Sequence, residues 1–166
     1  MKVAFTLLEA DMMRFATAVI SLGCLPTALA GAEPELRLLN PPGLFQPSTF
    51  SQIATVRNGR LVLVSGQTAR DAQSNIVGHG DLKAQTLQVF ENLKLALAGA
   101  GADFADVAKL TTYVVNLKPE DRLMIANVIG NYFPGGRRPA HTLVGVNALA
   151  VEGLLIEIEA IAVVQD

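Results

Sequence analysis

The chain is short of cysteine, histidine and charge: one cysteine, two histidines, and charged side chains at only 17% of 166 residues. Each shortage removes a class of function. The single cysteine, Cys24, lies in an apolar leading stretch, so the rest of the chain has no thiol for redox chemistry, no disulfide and no cysteine-based metal site. Two histidines, His79 and His141, with neither HxxxH nor HxH spacing, argue against a metal centre. The formal net charge is -2, with no basic run beyond Arg137-Arg138, which speaks against generic nucleic-acid binding.

Apolar residues are abundant, at 51%, and the excess sits at the front. Phe15 to Leu25 is almost free of polar groups, then Pro26 leads into the small residues Thr27 to Ala32, where Ala28-Leu29-Ala30 and Ala30-Gly31-Ala32 offer cleavage signatures. Residues 1–32 thus read as a secretory leader and residues 33–166 as one domain, the processed chain beginning near Gly31 or Glu33. The run is too short for a comfortable transmembrane helix, so no stable membrane span is expected after processing. The protein is exported or periplasmic if the leader is cleaved, and cytoplasmic if it is not. Glu9 and Asp11 make Met1 to Met12 a poor basic n-region, and translation from Met12 or Met13 gives a cleaner signal. The alternative is an amphipathic helix, since Phe5, Leu8, Met12 and Phe15 recur at helical spacing.

Glu33 to Ser48 carries Pro34, Pro41, Pro42, Gly43 and Pro47 and reads as an irregular lead-in. Phe50 to Val56 and Leu61 to Ser65 flank Asn58-Gly59, the signal for a type I′ hairpin because both central residues need positive φ. After a polar loop, Asp81 caps a helix with Leu82, Val89, Phe90, Leu93, Ala96 and Leu97 on one stripe, stopped by Gly99 and Gly101. Val107 to Val115 is β-rich; Pro119 opens a second helix carrying Leu123, Ile125, Val128, Ile129 and Tyr132. Strands near His141 to Asn147 and Leu154 to Val163 close the chain. The order ββαβαββ gives an α/β (α+β) domain, a mixed sheet with both helices on one face.

In IEIEAIAV, Ile156, Ile158, Ala160 and Ala162 point one way while Glu157, Glu159, Ile161 and Val163 point the other. The first set belongs in the core under the helices. The second, part apolar and part carboxylate, needs another cover, most simply a neighbouring subunit, and two glutamates there suggest a site between chains.

This order resembles the Rid (YjgF) family of reactive-intermediate deaminases. The likeness rests on VSGQ (Val64 to Gln67), QTLQVFENLKLALAGAGA, KLTTYVV, and PAHTLVGV followed by IEIEAIAV, and covers Phe50 to Val163. The resemblance implies a chorismate-mutase-like fold, a homotrimer with clefts between subunits, and cofactor-independent hydrolysis of enamines and imines to oxo acids and ammonia. Gly66 matches a backbone contact to substrate, and Glu157 matches a glutamate that orients water or assists proton transfer. At four further positions the chain departs from the pattern. The family's carboxylate-binding arginine is His141, a tyrosine is Phe50, a cysteine is Leu143, and an asparagine is Ala126 with Asn127 one place along.

A neutral imidazole cannot replace a bidentate arginine clamp. A nearby Glu157 would keep His141 protonated, or the pair would act as acid and base. Arg138 is the one cation near enough in sequence to substitute, but preceding Pro139 it points away from the face His141 uses. The resemblance therefore implies a divergent imine or enamine deaminase-type hydrolase with His141 and Glu157 as its catalytic pair. Gly66, Phe50 and Asn127, with His141, are the substrate contacts. The alternative is a non-catalytic trimer whose cleft binds a small ligand.

Overall fold

The computed structural model describes residues 35–164, so the leader expectation lies outside the described residues. A two-stranded antiparallel unit, β1 (Glu35–Leu39) with β2 (Ile53–Arg57), precedes β3 (Arg60–Thr68), α1 (Leu82–Gly99), β4 (Val107–Val115), α2 (Asp121–Tyr132), β5 (Ala140–Val146) and β6 (Ile156–Val164). After β1, the order is the expected ββαβαββ. The main sheet runs β3-β6-β4-β5, with β6 antiparallel to both β3 and β4, and β5 parallel to β4. A parallel neighbour demands a crossover, which α2 supplies between β4 and β5.

The core forms between the sheet and its helices. Asp81 accepts the Ala84 N–H at 3.0 Å, and the stripe it starts buries Val89, Phe90, Leu93 and Leu97 completely. Ile156, Ile158, Ala160 and Ala162 lie buried on the same core, as their alternation requires, together with Leu110 and Val114 of β4 and Ile125, Val128 and Ile129 of α2. Phe90 stacks on Tyr132 at 4.7 Å, and the Tyr132 hydroxyl donates to Glu91, joining the two helices. Burial raises the Tyr132 phenol to about 12, helped by Glu91.

Three local expectations change. First, ELRLL forms β1, because its alternation survives inside a stretch whose average is dominated by proline and glycine further on. Second, Asn58 and Gly59 do take positive φ, 59° and 94°, yet β2 pairs with β1 and β3 pairs with β6, so the turn does not close a ladder between β2 and β3. The cause is tethering at the other end of β2. Ser51 bridges Ala140 at the β5 edge, its N–H bonded to the Pro139 carbonyl at 3.1 Å and its hydroxyl to the Arg138 carbonyl at 2.6 Å. The chain must then cross from the β5 edge to the β3 edge at the opposite side of the sheet, and it cannot lie along β3 while doing so. Third, Val163 is buried rather than open: β4 bulges between Val107 and Lys109, and the Val163 N–H bonds the Asp106 carbonyl at 3.0 Å. Among the described residues no helix is long and apolar enough to cross a membrane.

Candidate functional site

Strand register sorts the sequence-selected residues into two groups. On β5, His141 stands opposite Leu110 of β4, so it shares the helix-covered face. There its Nε2 lies 3.0 Å from the Thr112 hydroxyl, itself fully buried. Leu143, two residues on, shares that face. The Ser51 tether places Phe50 beside them, and Ala126 approaches from α2. These four line one cleft of about 480 Å³, whose other walls include Leu117 and Arg122. Asn127, one step round the helix, lies away from it, in a separate depression with Lys83 and Glu120. Leu123 is 66% exposed at the cleft edge, not in the core where its stripe position suggested.

Glu157 belongs to the second group. It stands opposite Tyr113 of β4 and Thr68 of β3, on the face that the helices leave open. Beside it β3 bulges between Val64 and Gln67, which brings the Gly66 backbone against the Glu157 side chain. A Cβ at Gly66 would sit 1.9 Å from Glu157 Oε1, so only glycine admits this approach. Glu159 on the same face accepts from the Tyr113 hydroxyl at 3.2 Å, while Lys109 donates to Thr142. Burial raises the Tyr113 phenol, with Glu159 adding to the effect, and burial lowers the Lys109 ammonium against the opposing pull of Glu159. Leu61, Leu63, Val144 and Ile161 leave the same face substantially apolar, at 37% exposure or more.

His141 and Glu157 are therefore not a pair within one chain, and no carboxylate among the described residues of the same chain holds the ring protonated. Burial, with the charge of Lys109 adding, lowers His141 from 6.5 to about 4. The ring is neutral at pH 7. Its Nδ1 has no hydrogen-bond partner among the described residues, so it is open to a ligand as donor or acceptor according to tautomer.

The cation question also has a spatial answer. Arg138 packs on α2, its Nη2 3.2 Å from where a Gly130 Cβ would be, and its Nη1 donates to the Arg137 carbonyl. Arg122 is the cation that reaches the cleft. Sequence reading missed it, although its position four residues before Ala126 puts the two on one helical face. Among the described residues no three His, Cys, Asp or Glu side chains converge to hold a metal ion.

The model of the family described as Endoribonuclease L-PSP matches residues 46–164. Protein DfrA of Myxococcus xanthus is 39% identical over 114 residues, covering 69% of this chain and 84% of its own. A protein of Dermatophagoides farinae named 2-iminobutanoate/2-iminopropanoate deaminase is 30% identical over 130 residues, 78% of this chain and 97% of that one. Among solved structures, the Rid-family protein YyfB of Yersinia pestis, described as of unknown function, superposes with a TM-score of 0.74 and 43% identity, covering 78% of this chain and 98% of its own. By motif order, by its chorismate-mutase-like fold and by these matches, the chain belongs to the Rid (YjgF) family.

Proposed function

We propose that the protein is a cofactor-independent hydrolase of small imines or enamines, working in a cleft that a second copy of the chain completes. The observation that carries this reading is the division of the site. Phe50, Ala126, His141 and Leu143 gather in one cleft, while Gly66 and Glu157 touch each other on the opposite, partly apolar face. A homotrimer that sets the open face of one subunit against the cleft of the next would bring both groups to one ligand and cover Leu61, Leu63 and Ile161. The deaminase name of the Dermatophagoides relative supports the reaction class.

The chemistry asks little of the protein. A protonated imine is already electrophilic, so water held by the Glu157 carboxylate adds to the imine carbon as the carboxylate takes its proton. Return of that proton to nitrogen makes ammonia the leaving group, and as it departs the freed carboxylate takes the hydroxyl proton, leaving the oxo acid. The neutral His141 ring fixes one polar atom of the substrate through Nδ1.

Freshly generated 2-iminobutanoate tests the reading, with ammonia release followed against buffer alone. Acceleration that is lost in Glu157→Gln is expected; no acceleration by the wild type would exclude the hydrolase. A second reading, a ligand-binding trimer without turnover, draws on the apolar lining of the cleft and the neutral ring. Robust turnover of any imine removes it.

A further inference from the structure

We infer that Arg122 is the anion anchor of the cleft, holding the carboxylate of a ligand from the first turn of α2. The inference rests on the reading of this cleft as the ligand site, and it names the ligand class: a small monocarboxylate with an apolar body.

The lining supplies the argument. Phe50, Leu117 and Leu143 are apolar, Ala126 is small, and the His141 ring is neutral at physiological pH, so Arg122 is the one permanent charge among the lining residues. Its guanidinium makes no ion pair or hydrogen bond with any described residue. The neighbouring carboxylates do not engage it: Asp121 accepts the Lys118 N–H at 2.9 Å, and Glu120 lines the separate depression beside Lys83. One cation in a lining that is otherwise apolar apart from Thr49 and the His141 ring matches a ligand with one planar anionic group and little else that is polar. A second carboxylate on the ligand would find no cation in the lining, so a dicarboxylate is disfavoured.

Titration calorimetry of the full-length protein with 2-oxobutanoate, its uncharged amide 2-oxobutanamide, and 2-oxoglutarate tests this. The wild type should bind 2-oxobutanoate in preference to the other two. Arg122→Gln should weaken the carboxylate by about ten- to a hundredfold and leave the amide unchanged, with Arg122→Lys between. Because Arg122 is exposed, both variants should melt with the wild type. The inference is overturned if 2-oxobutanoate fails to bind the wild type, if Arg122→Gln binds it equally well, or if the amide binds as tightly as the acid. Arg122-dependent binding in a protein that hydrolyses no imine would remove the hydrolase reading while upholding this one.

Discussion

His141 and Glu157 project from opposite faces of one four-stranded sheet: His141 is paired with Leu110 and Glu157 with Tyr113, three residues further along β4. An odd separation on one strand means opposite faces. Chemistry that uses both side chains therefore needs two chains, and the tests that follow separate what each face contributes.

The first concerns His141 and pH. Its folded value of about 4 lies below the ordinary 6.5, so the unfolded chain takes up the proton first as pH falls. The stability tied to the neutral ring is complete above about pH 6.5 and is lost as pH drops towards 4. By pH 4.5 the loss amounts to at most about 3 kcal/mol, reduced by the part of the ring that reaches solvent. Urea unfolding at pH 7.5 and 4.5 should show a smaller acid loss in His141→Gln than in the wild type. Equal losses would contradict the assignment.

Gly66→Ala tests the open face. The added methyl must displace the Glu157 carboxylate, which is the far end of a flexible side chain, so the fold should lose no more than about 1 kcal/mol. Imine hydrolysis should fall to the level of Glu157→Gln. A fully active Gly66→Ala protein would show that the observed position of Glu157 does not matter.

Ser51→Ala weakens the tether that sets Phe50 beside the cleft, removing the hydroxyl bond while the N–H bond to the Pro139 carbonyl stays. Loss of its hydrogen bond to Arg138 should cost about 1 kcal/mol by thermal melting. Affinity for 2-oxobutanoate should fall with it. Unchanged affinity would mean that Phe50 is positioned by other contacts.

His141→Arg places a second cation in the same cleft as Arg122. Tighter binding of 2-oxobutanoate and faster imine hydrolysis are expected, read from calorimetry and ammonia release. A folded variant without either gain would show that Phe50, Ala126 and Leu143 also limit the cleft.

Much of the fold was legible because it is written in local periodicity: Ile156 to Ala162 alternate into the core, and Asp81 caps the helix it was expected to cap. Alternation gives parity within a strand but not between strands, so the opposed faces of His141 and Glu157 awaited the registers of β5 and β6 against β4. Arg122 was overlooked for a related reason. Closeness in sequence to His141 points to Arg138, whereas the cleft is built from helix spacing on α2 and a crossover back to β5. The Asn58-Gly59 turn shows the same limit, since its φ values obey local chemistry while the partners of β2 and β3 are set by the distant anchor at Ser51.

Complementation between two disabled variants tests the divided site most directly. Glu157→Gln and His141→Ala should each be slow in imine hydrolysis alone. Co-refolded in equal amounts, they should recover roughly a quarter of wild-type activity, because one in four interfaces then joins an intact cleft to an intact Glu157. A mixture no more active than the separate variants, from oligomers shown by native mass spectrometry to have exchanged subunits, would contradict a site shared between chains.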